Sequence, residues 1–142
     1  MLSLAYKARS RNQSCEFLNS TKTLNREVAT KKIELRNLTL EDYIGLKEAM
    51  IQAYSGGGVT HWNKTAIDKL LKVFPDGQLC VVVDGKVAAC ALSIIVDYDK
   101  YGDKHTYDQI TGKETFNTHN ADGDVLYGIE LFVHPEYRGM RL

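Results

Sequence analysis

Two runs rich in valine, isoleucine and alanine, Gln78 to Val83 and Lys86 to Val96, are separated by only two residues, Asp84-Gly85. No other feature limits the possible folds so sharply. An Asp-Gly pair accepts the positive φ angles of a tight hairpin turn, so the two runs are expected to pair as antiparallel strands. The chain has 142 residues, of which 44% are apolar and 25% charged, enough for one soluble domain built around this hairpin.

The segments before the hairpin predict a strand and two helices. Ile33-Glu-Leu-Arg36 alternates apolar and polar residues like a half-exposed strand, and Thr39-Leu-Glu-Asp42 has the form of a helix-start capping box. Tyr43, Leu46, Met50 and Ala53 then recur at helical spacing until Ser55-Gly-Gly-Gly58 breaks the pattern. These glycines follow a helix and not a strand, so a mobile connection fits them better than a phosphate loop. A second helix is written in Ile67, Leu70, Leu71 and Phe74 and is stopped by Pro75-Asp-Gly77.

After the hairpin, residues 97–124 change character. They hold seven acids against three lysines, together with Tyr98, Tyr101, Tyr107 and Phe116. A long excursion between two strands is expected here, either a functional acidic and aromatic rim or a solvated insertion that binds a partner. A further strand follows, in which Val125, Leu126, Ile129, Leu131, Phe132 and Val133 have the density of a buried element. Pro135 ends it, and Tyr137-Arg138-Gly139 opens a turn where a glycine after a basic residue lets backbone N–H groups approach an anion. From the residues alone the reading is an α+β domain with an anion-binding turn.

Charge and cysteine usage bound the surroundings. Residues 1–32 carry seven Lys/Arg against two acids, and the remainder carries eleven against sixteen. Such a basic, hydroxyl-rich leader is compatible with an organelle presequence or a nucleic-acid-binding arm, but its composition most often belongs to a disordered segment. The reading taken is a disordered leader over 1–32, a cytoplasmic protein, and neither nucleic acid nor membrane as partner. Cys15, Cys80 and Cys90 are an odd count without metal-ligand spacing; the latter two are expected as small buried hydrophobes, and no metal is expected. His105 and His119 stand apart from any ligand set.

The segment Val133, Pro135, Tyr137, Arg138, Gly139 resembles the strand and turn of the GNAT acyl-CoA N-acyltransferases. The resemblance spans residues 33–142 and implies a mainly antiparallel, mixed sheet flanked by helices, truncated before the last strand and C-terminal helices of that fold. It implies acetyl-CoA as co-substrate, with the strand Leu131, Phe132 and Val133 pairing to the pantetheine arm. The turn of Arg138, Gly139, Met140, Arg141 and Leu142 would take the pyrophosphate, although Arg141 stands where the family has a second glycine. The acceptor implied is a small amine, and the acidic excursion favours a cationic one. Tyr54, His61, Trp62 and Tyr98 are candidate walls of the acceptor site; an aromatic anchor for the loop is an equal reading of the first three.

Glu130 is the leading candidate base, because desolvation in a largely apolar strand raises a carboxylate's proton affinity. A surface carboxylate is the equal alternative. Asp124 and Tyr127 rank below it, and His134 is expected to face solvent. The stretches Ala89–Asp99, Thr115–His119 and Tyr127–Pro135 further resemble the acetyltransferase-like domain that precedes a nitrilase-type carbon–nitrogen hydrolase in bacterial fusion proteins. The resemblance therefore leaves three expectations: an N-acetyltransferase present as an N-terminal portion, a noncatalytic acyl-CoA-binding or regulatory module of a hydrolase fusion, or an inactive fragment. Poor activity is expected of this portion in isolation.

Overall fold

A computed structural model describes residues 30–55, 57 and 61–142. Nearly all of the basic leader, residues 1–29, lies outside the described residues, as do Gly56, Gly58, Val59 and Thr60 of the glycine connection. In chain order the elements are β1 (Ile33–Asn37), α1 (Tyr43–Ala53), α2 (Lys64–Val73), β2 (Leu79–Val83), β3 (Lys86–Val96), a short helix α3 (Tyr107–Thr111) and β4 (Val125–Val133). A 3₁₀ turn, Pro135–Tyr137, follows β4.

The four strands form one sheet in sequential order, and every adjacent pair is antiparallel. The mixed sheet implied by the resemblance is thus fully antiparallel among the described residues. Its centre is the expected hairpin: Asp84 and Gly85 take φ of 50° and 81°, the double positive φ of a type I′ turn. Asp84 also exchanges hydrogen bonds with Lys32, whose N–H donates to the carboxylate and whose carbonyl accepts the Asp84 N–H.

Leu46, Ala49 and Met50 of α1 and Ala66, Ile67 and Leu70 of α2 are buried in the same core as Cys80, Cys90, Leu92 and Ile94 of the sheet. The expected capping box is present in altered form. The Asp42 carboxylate accepts from the N–H and hydroxyl of Thr39, then closes a two-pronged ion pair with Arg36 of β1, both contacts at 2.7 Å. Arg36 and the Thr39 donors together hold Asp42 at a pKa of about 2. Asn63 caps α2 by accepting from the Ala66 N–H.

Cys80 and Cys90 face each other across β2 and β3, buried and unbridged. Burial pushes both thiols up, the behaviour of packing residues and not of nucleophiles.

Strand β4 is buried on one face only. Leu126 and Leu131 are 65% and 74% exposed, and Leu35 of β1 is 71% exposed. This corrects the expectation of a fully buried strand: the helices cover one face of the sheet, and the leucines lie on the other.

Candidate active site

The alternation along β4 changes phase in its middle. Leu92 of β3 is paired with Glu130, but its neighbour Ser93 is paired with Gly128, so Ile129 is an extra residue, a β-bulge. Ile129, Glu130 and Phe132 consequently all turn toward the helices, where a regular strand would have sent Ile129 to the opposite face from Glu130 and Phe132. The bulge thereby places the carboxylate on the same core-facing side as Ile129 as well as Phe132.

Glu130 is half-buried between the end of α1 and the start of α2. Tyr54, which closes α1, donates its hydroxyl to Oε1 at 2.5 Å, and the Trp62 indole N–H lies 3.5 Å from Oε2. The Leu131 amide also donates to Oε1 at 3.2 Å. Burial first, and the adjacent carboxylate second, push the Tyr54 phenol up to about 12, so the shared proton stays on Tyr54. The Tyr54 ring packs edge-on against Phe132 at 6.4 Å. Two of the three aromatic candidates from the glycine connection are thus brought to Glu130. His61 is half-buried beside Trp62 and makes no side-chain hydrogen bond among the described residues.

The excursion supplies a second wall. Phe116, fully buried, stacks on Trp62 at 5.9 Å, and Tyr107 of α3 meets Trp62 edge-on at 6.5 Å. Burial raises the Tyr107 phenol, with Glu114 and Glu130 as further causes. Tyr98 is placed elsewhere: it donates to Asp103 and packs against His105, whose Nε2 lies 3.0 Å from the Tyr127 hydroxyl of β4. Asp124 accepts from the Tyr98 amide, a structural contact that leaves it away from Glu130. His119 accepts from the Ile95 N–H and stacks on Phe74. Tyr107 and the His105–Tyr127 pair carry no local sequence signal, since they meet Trp62 and β4 only after the excursion folds back.

Beyond β4 the turn is partly self-bonded. The His134 N–H continues the sheet to the Ala88 carbonyl, and His134 Nδ1 accepts from the Glu136 amide, so its ring is half-buried and engaged instead of free in solvent. The amides of Tyr137, Arg138 and Met140 bond back to His134, Pro135 and Tyr137. Among the described residues, those of Gly139, Arg141 and Leu142 make no hydrogen bond. Gly139 and Arg141 have φ of 82° and 59°, so Arg141 holds the left-handed conformation that a glycine would take more readily. Arg138 turns back along the protein: Nε donates to the Val133 carbonyl at 3.3 Å and one terminal nitrogen to the Ala53 carbonyl at 3.2 Å.

A cleft of about 360 Å³ adjoins this turn on the side of α1. It is lined by Glu41, Asp42, Glu48 and Glu136 against Lys86 and His134, a polarity that repels a pyrophosphate, and it does not include Glu130. Among the described residues the outer edge of β4, the strand that carries Glu130, pairs with no further strand and leads directly into the turn. Among the described residues no group of three His, Cys, Asp or Glu side chains could hold a metal ion, and no helix is long and apolar enough to cross a membrane.

Sheet order, helix placement and the strand-to-turn unit give the chain a GNAT-like fold. The loading GNATL domain of CurA from Lyngbya majuscula superposes with a TM-score of 0.63 at 20% identity, covering 78% of this chain and 52% of that one. The GphF GNAT-like decarboxylase in complex with isobutyryl-CoA gives 0.56 at 15% identity, covering 75% and 51%. Among proteins with a curated description, the probable hydrolase YhcX of Bacillus subtilis (strain 168) is 32% identical over 112 residues, 79% of this chain and 21% of that protein. The uncharacterized N-acetyltransferase YkwB of the same organism is 29% identical over 77 residues, 54% of this chain and 34% of that protein. No family model matches. The chain thus spans a fifth to a third of these curated relatives and about half of the solved domains.

Proposed function

We propose that this chain forms the donor-binding and base-bearing part of an acyl-CoA-dependent N-acyltransferase, with acetyl-CoA as donor and a small amine as acceptor. The observation that carries the reading is Glu130 on the bulge of β4, turned into an aromatic recess and followed along the same strand by a turn with unbonded amides. The backbone edge at Leu131, Phe132 and Val133 would pair with the pantetheine arm. The amides at Gly139, Arg141 and Leu142, with Met140 between them and Arg138 beside them, would meet the pyrophosphate.

In the reaction, the amine nitrogen attacks the thioester carbonyl and passes one proton to Glu130. The C–N bond forms first to give a tetrahedral oxyanion, whose collapse breaks the C–S bond; the CoA thiolate leaves and takes a proton from solvent, to which Glu130 returns its own. A backbone N–H of β4 holds the transient oxyanion. Tyr54, His61, Trp62 and Tyr107 wall the acceptor side, where the Glu130 carboxylate and its aromatic lining suit a cationic amine. The free buried thiols fit a reducing, cytoplasmic setting.

A second reading follows from the likeness to YhcX, a probable hydrolase of which this chain covers 21%. In that reading the domain is a noncatalytic acyl-CoA-binding or regulatory module attached to a carbon–nitrogen hydrolase.

Calorimetry with acetyl-CoA, followed by a thiol-release assay over a panel of amines, tests both readings. Binding with turnover supports the transferase, binding without turnover supports the module, and no binding removes both. In the transferase case, Glu130→Gln should lower kcat by about 10²- to 10⁴-fold, the usual contribution of a general base, with acetyl-CoA affinity kept. An unchanged kcat would assign the proton transfer elsewhere.

A further inference from the structure

The Glu130 carboxylate is the acceptor of a phenolic hydroxyl at 2.5 Å, and a base in that position must lose this donor before it takes a proton from a substrate. Tyr54 is held in place through the backbone beside it. Its own N–H bonds the Met50 carbonyl, and the preceding carbonyl, Ala53, accepts from Arg138 across 85 residues of sequence. One guanidinium therefore joins the turn after β4 to the residue that covers Glu130.

The chemistry of that joint makes it exchangeable. Arg138 is exposed, and both of its partners are neutral carbonyls at 3.2 and 3.3 Å, longer than the roughly 2.7–2.9 Å of a charge-assisted bond. A phosphate offers the same fork two charged oxygens and outcompetes them. The Ala53 carbonyl, at the negative end of α1, would then lose its cation.

We propose that Arg138 is a positioning residue that couples anion occupancy of the turn to release of Tyr54 from Glu130. The donor's pyrophosphate draws the guanidinium off Ala53, the end of α1 relaxes, and Oε1 of Glu130 becomes available to the amine. The base is thereby uncovered only when the donor is in place. This rests on the turn being the anion site of the proposed function.

Trp62 is the single tryptophan of the chain and lies against the same carboxylate, so its emission reports the event without any turnover. Inorganic pyrophosphate is titrated while binding is followed by calorimetry. The wild-type chain should show a saturable red shift of Trp62 emission that tracks the calorimetric isotherm. Arg138→Ala should lose the shift at every pyrophosphate concentration that binds. Arg138→Lys should keep binding through its charge with a reduced shift, because an ammonium does not bridge the two carbonyls as a fork does. Tyr54→Phe should bind pyrophosphate more tightly than wild type, because the bond that binding breaks is already gone, with its emission already shifted and insensitive to the ligand. Wild-type binding without an emission change, or a Tyr54→Phe response equal to that of wild type, would overturn the coupling while leaving the anion site intact. An absence of binding would remove the anion site and the coupling together.

Discussion

Gln78 shows how much one side chain can contribute to the architecture that positions the site. It precedes β2 and is fully buried, yet each polar atom has a partner: Nε2 donates to the carbonyls of Phe74 and Ser93, and Oε1 accepts from the Ser93 N–H. The amide thus pairs with Ser93 as one more strand residue would, directly beside the point where β3 and β4 change register at Leu92 and Ser93. Gln78→Ala strands these groups away from water, and each unsatisfied one costs about 1–3 kcal/mol. Gln78→Glu has the same shape but turns an oxygen toward two carbonyls. Urea denaturation should find both variants destabilised, with the isosteric Glu no better than Ala. A Glu variant as stable as wild type would contradict the hydrogen-bond assignment. In the sequence, Gln78 reads only as the first residue of a strand, because its side-chain partners lie at the end of α2 and in β3.

At the scale of elements, the parts that sequence made legible are those set by local chemistry. Asp84-Gly85 specifies its turn, Pro75-Asp-Gly77 stops α2, and Leu46, Met50, Ile67 and Leu70 mark the buried helix faces. Glu130 was legible as a carboxylate in an apolar strand, but the face it takes was not. That depends on the extra residue Ile129, which exists only relative to the register of β3. The excursion was likewise legible as a long insertion, not as a wall. Five of its residues have positive φ, and one of these, Phe116 at 58°, is fully buried against Trp62. Aromatic burial offsets the backbone cost and fastens the excursion to the core. Phe116→Ala should therefore cost about 3–5 kcal/mol and expose Trp62, readable as a lower urea midpoint with red-shifted native emission. Loss of stability with unchanged emission would mean that the stack does not hold the wall.

The whole molecule balances eighteen basic against eighteen acidic residues, so its response to pH is set by a few groups and not by net repulsion. Two of them act in separate windows. His119 is half-buried and accepts a hydrogen bond on Nδ1 from the Ile95 amide, and partial burial lowers its pKa below the ordinary 6.5. The unfolded chain then binds the proton more readily than the folded one, so stability is full above pH 6.5 and declines as pH falls through that window. Asp42, held at about 2 against an ordinary 3.8, contributes stability that is present above 3.8 and is lost as pH falls toward 2. Glu34 and Asp97, lowered by their lysine partners Lys32 and Lys100, titrate in the same acid range but are half-exposed surface pairs weakly coupled to folding. Urea midpoints measured across pH should thus be level near neutrality, step down below 6.5 and fall again below 3.8. His119→Asn supplies a carbonyl acceptor without a titrating group and should remove the first step alone. Asp42→Asn should lower stability at neutral pH by loosening β1 from the start of α1, and should flatten the acid limb. A first step that survives His119→Asn would assign it to another group and leave the His119–Ile95 contact without a role in folding stability.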